Sequence, residues 1–191
     1  MLTPIPLDLR IALKRAECDL YSNLVTRATG RAVRGQLESM LSEMQGHRFA
    51  VLDFTHVGVL DFSCADEIVA KLLLRFGAGL PATVEAPLEA SYFMFRGLGE
   101  SHLEALEPVL ERHGLALVAE AADGSTRLIG MVDAEEQSVW QLVLASGGGA
   151  VSAIASFADD LRLDLHARLT ALARRRLVIQ TAAGFHPLRN H

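Results

Sequence analysis

Residues 51–72 read Val51-Leu52-Asp53-Phe54-Thr55-His56-Val57-Gly58-Val59-Leu60-Asp61-Phe62-Ser63-Cys64-Ala65-Asp66-Glu67-Ile68-Val69-Ala70-Lys71-Leu72. An apolar strand ends in a carboxylate, a short loop follows, and Ser63 opens a helix. Asp66 and Glu67 fall in the first helical turn, where carboxylates complement unpaired backbone N–H groups and the positive end of the helix dipole. Asp53, at the end of the strand, is expected to hydrogen-bond loop backbone rather than serve as a base.

Working outward, the pattern alternates between strands and helices. Leu7 to Lys14 predicts a strand and Leu20 to Val25 its hairpin partner. From Arg27 to Met44, Val33, Leu37, Met40, Leu41 and Met44 form the stripe of an amphipathic helix, with Gly46 as its C-terminal stop. Phe49 to Phe54 is a near-continuous apolar run, the mark of a strand covered on both faces. The helix from Ser63 to Phe76 turns Ile68, Val69, Leu72, Leu73 and Phe76 inward and stops at Gly77 and Gly79. Pro81 and Pro87 bracket a Thr83-Val84 pair that reads as an edge strand or loop.

Farther on, Tyr92 to Leu98 predicts a strand and Ser101 to His113 a helix, kinked or late in starting because of Pro108. Leu115 to Glu120 and Thr126 to Met131 make a hairpin around Asp123-Gly124. Beyond Val132 the class changes. Helices are expected over Glu135–Ala145, Val151–Ala158 and Asp164–Leu177, then a small hairpin of Val178-Ile179-Gln180 and Phe185-His186-Pro187 around Ala182-Ala183-Gly184. Three helices and a hairpin in that order describe a winged helix. The division is an α/β domain over 1–132 and a winged-helix domain over 133–191.

The chain has 191 residues, half of them apolar, enough for a sizeable core. Its net charge is −5, all of it in residues 1–132, which hold 12 Lys+Arg against 17 Asp+Glu. Residues 133–191 hold 6 of each, so neither part attracts nucleic acid or anionic lipid as a whole. Two cysteines, Cys18 and Cys64, without CxxC spacing, fit a reducing cytoplasm and read as buried apolar residues. The N-terminus, with Asp8 and Arg10, lacks the apolar run of a signal peptide. Gln137 to Ala158 is uncharged and long enough to span a membrane. Gly147-Gly148-Gly149, three serines and Gln141 favour a turn between two short helices instead.

His56, Asp61, Ser63, Cys64 and Asp66 lie within eleven residues, a density that invites a catalytic or metal-binding reading. No second basic or ligand cluster is spaced to complete one, so no enzyme, metal or cofactor is expected. The seven histidines form no HxxxH or HExxH pair, and the triple glycine lacks the Lys-Ser/Thr of a P-loop.

Residues 20–120 resemble a STAS domain, the fold of bacterial anti-sigma-factor antagonists. They are closer to the STAS-like variant whose switch helix opens Ser-Phe-Ala-Asp-Glu, present here as Ser63-Cys64-Ala65-Asp66-Glu67 after the strand Val51-Leu52-Asp53-Phe54. Leu24-Val25-Thr26-Arg27 also resembles this variant. The classical junction reads Asp-Ser-Ser-Gly, with the first Ser phosphorylated by a partner kinase. Here it reads Asp61-Phe62-Ser63-Cys64, so Phe62 occupies the phosphoacceptor position. Ser63 is left as a phosphoacceptor or a helix cap, with the cap preferred because Ser is a favoured N-cap residue. Phe62 is either a binding anchor or part of the core. The last sixty residues are similar to winged helix-turn-helix domains of bacterial regulators, with Leu169-Thr170-Ala171-Leu172 and Arg174-Arg175-Arg176-Leu177-Val178 ending a recognition helix.

The resemblance implies a cytoplasmic bacterial regulator in signalling or transcription control, working by protein–protein interaction. Its partner would be an anti-sigma factor or a histidine-kinase-like ATPase, and a homodimer is also considered. The expected recognition residues are His56, Asp61, Phe62, Cys64, Asp66 and Glu67. The alternative is a DNA-binding transcription regulator that uses Arg162, Arg168, Thr170, Arg174, Arg175 and Arg176, with the STAS-like part sensing or dimerising.

Overall fold

The computed structural model describes residues 4–9, 11–12, 23–43, 48–76, 91–157 and 164–189. Its centre is a five-stranded sheet of β1 (Pro4–Asp8), β3 (Arg48–Asp53), β5 (Ser91–Arg96), β6 (Ala116–Glu120) and β7 (Thr126–Gly130), in that spatial order. The first four strands run parallel, and β7 returns antiparallel through the turn at Asp123-Gly124. The protein is thus mixed α/β with a mostly parallel sheet.

Successive side chains of a strand point to opposite faces, and here both faces are apolar. Ala50, Leu52, Phe93, Phe95, Leu117 and Ala119 enter one core. Phe49, Val51, Tyr92, Met94, Ala116 and Val118 enter the other. Burial on both sides explains the unbroken apolar run of β3.

Each new parallel strand is added on the same side of the previous one, and right-handed crossovers then place the described connecting helices on one face. That face carries α1 (Arg27–Ser42), α2 and α3 (Glu100–His113). Here α2 is a continuous helix built from Phe62–Ala65, a π turn over Asp66–Ala70, and Lys71–Phe76. Among the described residues, no crossover helix covers the opposite face. It is closed by α4 (Ala134–Ser146), α5 (Val151–Ala155), α6 (Leu165–Arg174) and the hairpin β8 (Val178–Thr181) and β9 (Gly184–Pro187). Trp140, Val143, Leu169, Leu172 and Phe185 share a single apolar core with the sheet. The expected boundary at 132/133 therefore separates segments that pack on each other.

Several expectations need correction. β1 ends at Asp8 and is followed by helical residues, so the strand lies earlier than Leu7–Lys14. The second strand is β2 (Asn23–Leu24), which pairs in parallel with β4 (Val59–Leu60) and is no hairpin partner of β1. α3 starts at Glu100 and runs through Pro108. The carbonyl of Glu104, left without its helical donor, is on the exposed side, where water can bond it. α1 ends at Ser42 with Glu43 as its cap. Gly46, Gly77, Gly79, the Pro81–Pro87 segment, Cys18 and residues 158–163 lie outside the described residues.

The glycine run is a turn, and it also ties the C-terminal layer together. Gly149 and Phe185 exchange backbone hydrogen bonds of 2.8 and 2.9 Å. A Cβ on Gly184, whose φ is +128°, would meet the Gly149 carbonyl oxygen at 1.9 Å, so only glycine fits. Among the described residues, no helix is long and apolar enough to cross a membrane.

Candidate functional site

The two segments singled out in the sequence, Leu24–Arg27 and Ser63–Glu67, meet in space. Leu24 pairs with Leu60 and accepts the Asp61 N–H through its carbonyl at 2.7 Å, which sets the heads of α1 and α2 side by side. Thr26 caps α1 by accepting from Thr29 N–H at 3.1 Å. Gly30 permits the close crossing: a Cβ there would lie 3.0 Å from Glu67 Cβ and 3.1 Å from Cys64 Cα.

At this crossing α2 widens into its π turn, a local irregularity that recurs at functional sites. Asp66 is 6% exposed and Glu67 fully buried. Arg27 donates to Asp66 at 3.3 Å and to Glu67 at 3.0 Å. Arg34 reaches Glu67 at 3.4 Å, Lys71 pairs with it from the next turn, and His113 of α3 lies 2.8 Å from Asp66. Burial pushes both carboxyls up, but the hydrogen bonds outweigh it. Those from His113 and Arg27 hold Asp66 below the usual carboxylate range. Those from Lys71 and Arg27 do the same for Glu67. Both acids are therefore charged at neutral pH and locked in ion pairs.

This places three expected recognition residues inside the molecule. Asp66 and Glu67 face α1 and do not reach a partner's surface. Cys64 is buried as well, its thiol 2.8 Å from the Thr26 carbonyl and its pKa pushed up by burial. The reading of the acids as helix-dipole partners stopped at a local explanation; the structure supplies three opposing cations and a histidine.

The remaining three stay outside. His56, Asp61 and Phe62 are exposed. Asp61, not Ser63, is the N-cap of α2: its carboxylate accepts the Ser63 N–H at 2.7 Å. The Ser63 hydroxyl also bonds Asp61 and helps hold that carboxyl below its usual range. Ser63 is thus a half-buried first-turn residue, and the cap reading passes to its neighbour two positions back. A phosphate on Ser63 would stand against the Asp61 carboxylate, a like-charge repulsion.

Phe62 is 38% exposed, which settles it as a surface residue. Val25 is 52% and Val59 46% exposed, both on the outward side of the β2–β4 pair whose other side buries Leu24 and Leu60. Periodicity does not reveal this patch, because the strands are two residues long. Nearby, Asp53 accepts the Thr55 N–H at 2.9 Å and pairs with Arg96 at 2.8 Å, so it organises the loop as expected.

On the other face, Thr170 Oγ1 donates to the His166 carbonyl at 2.8 Å and Arg168 pairs with Glu135. Arg175 donates to Glu136 at 2.6 Å and to the Met131 carbonyl. Arg176, in the left-handed region at φ +61°, lays its guanidinium 5.3 Å from the Tyr92 ring centre. These two arginines, expected to meet phosphates, are turned inward. Arg174 remains exposed, and Arg162 lies outside the described residues.

No family model, curated protein or solved structure matches this chain.

Proposed function

We propose that this chain is a cytoplasmic regulatory protein of the STAS-like type, without enzymatic activity, that works by protein–protein recognition in bacterial signalling or transcription control. Its recognition corner consists of Phe62, His56 and Asp61 with Val25 and Val59. The observation that carries this reading is the exposure of an aromatic and two β-branched side chains at the junction of a short strand pair and a helix. The ion pairs of Arg27 with the buried Asp66 and Glu67 fix the platform beneath it. Aromatic residues on a rigid base are the usual anchors of interfaces. The Ser63–Glu67 and Leu24–Arg27 resemblances support the class and point to an anti-sigma factor or a histidine-kinase-like ATPase as partner. The C-terminal helices and hairpin follow the element order of a winged helix. Its DNA-binding reading has less support, since Arg175 and Arg176 are turned inward and Arg168 is engaged by Glu135.

The test is affinity capture from the native cell with the wild type, Phe62→Ser, Ser63→Ala and Ser63→Asp. A regulatory ATPase or anti-sigma factor is expected with the wild type and both Ser63 variants and is lost with Phe62→Ser. Equal capture by Phe62→Ser removes the corner from the interface. Specific, steeply salt-dependent DNA binding lost in Arg174→Ala would favour the DNA reading instead.

A further inference from the structure

α1 presents Arg27, Arg31, Arg34 and Glu38 at intervals of four, three and four, a single stripe along the helix. α2 answers with Glu67, Lys71 and Arg75 at intervals of four. The two stripes are joined across the seam: Glu38 accepts from Arg34 at 2.8 Å and from Arg75, and Glu67 accepts from Arg27, Arg34 and Lys71.

The seam is sorted by depth. Asp66 and Glu67 are buried and Glu38 is largely covered, whereas Arg27, Arg31 and Arg75 are exposed and Lys71 is partly so. Five cations thus stand against three carboxylates, and the carboxylates are the inner layer. A chain of net charge −5 therefore turns a positive strip outward here. The apolar corner lies at the heads of the same two helices: Phe62 is the first residue of α2, and Val25 stands two residues before Arg27.

We propose that this strip and the apolar corner at the helix heads together dock an acidic segment of a partner protein. An apolar side chain of that segment seats against Phe62, Val25 and Val59, and its carboxylates follow Arg27, Arg31, Lys71 and Arg75. The proposal rests on the recognition reading above and adds the chemistry of the partner. Charge complementarity selects an acidic segment, and the apolar end demands more than charge. A nucleic acid fits less well. Its phosphates gain nothing from the exposed Val25 and Val59, whereas an acidic segment can bring an apolar side chain to them.

The experiment is fluorescence anisotropy of the full chain with a labelled glutamate–tyrosine random copolymer, with polylysine and a short DNA duplex as comparison probes. Binding of the copolymer is expected, with affinity lowered about tenfold by Arg31→Glu, by Phe62→Ser and by raised salt. Arg31→Lys should retain it, and circular dichroism should show each variant folded. Copolymer binding that ignores Arg31→Glu, or no copolymer binding, overturns the acidic-segment proposal. In that event, loss of native-partner capture by Phe62→Ser still leaves the recognition corner standing, so the two readings fail separately. Tighter binding of the DNA duplex through Arg31, indifferent to Phe62→Ser, also overturns it and assigns the strip to nucleic acid.

Discussion

On the α1–α2 layer, Arg27 and Arg75 stand half in solvent above carboxylates that lie deeper than they do. On the opposite layer, Arg175 and Arg176 are folded down against Glu136, the Met131 carbonyl and the Tyr92 ring. Both sets are guanidinium groups near a helix end. In the first set the acid is inside and the positive charge remains outside, available to a partner. In the second the arginines are themselves mostly covered, and Arg175 spends its donors on Glu136 and the Met131 carbonyl, holding the layer to its neighbours. Arginine clusters in sequence therefore do not reveal a binding face. What matters is how much of the guanidinium stays in solvent once its counter-charge is met.

The sharpest challenge to this contrast is to loosen the C-terminal layer. Trp140 is almost wholly buried and donates to the Leu177 carbonyl at 3.3 Å, so Trp140→Ala should cost about 3–5 kcal/mol. Because the layer shares its core with the sheet, far-UV dichroism and a probe on α1 should report one shifted transition. Two separated transitions would make the layers independent units.

A smaller effect comes from the inner acid of the other layer. Glu67→Gln should cost about 2 kcal/mol at neutral pH, less than a fully buried pair because its cations are partly solvated. The folded pKa of Glu67 is depressed, so its contribution is complete above the ordinary carboxylate range. It is lost as pH falls below about 4. The variant should therefore show a shallower acid-side loss of stability than the wild type. Parallel acid limbs would mean that Glu67 is not held as described. The smallest pair tests the arginines directly: Arg175→Ala is expected to cost about 1–2 kcal/mol. Arg174→Ala should change stability by less than about 0.5 kcal/mol. Equal losses in the two melts would erase the distinction between inward and outward cations.

Much of the fold was legible because the long elements carry their own period. The Val33, Leu37, Leu41 stripe marked α1, and β3 announced burial on both faces. The Asp123-Gly124 turn fixed the β6–β7 pairing. The partner of Asn23–Leu24 was not legible. Two residues show no alternation, and a parallel pairing with residues 59–60 is a long-range event without a local signature. The site divided in the same way. Phe62 and Asp61 are exposed at the loop where the sequence places them. Asp66 and Glu67 were misplaced because a carboxylate at a helix start already has a sufficient local reason. The signal that could have moved them inward was the spacing of Arg27, Arg31 and Arg34, three cations on one stripe that needed an acid opposite. Between Asp61 and Ser63, both good capping residues, only backbone geometry chooses.

The one-sided run of crossovers has a consequence for how the chain is made. Synthesis proceeds from the N-terminus, so the strands bearing Phe49, Val51, Tyr92, Met94, Ala116 and Val118 leave the ribosome before α6 and the hairpin that cover them. For that interval the nascent protein shows an uncovered apolar sheet face to solvent, and an exposed face of that kind is where misassembly begins. The C-terminal helices and the β8–β9 hairpin act on their own sheet as a tethered cover, and a message cut short near residue 132 would yield a sticky product.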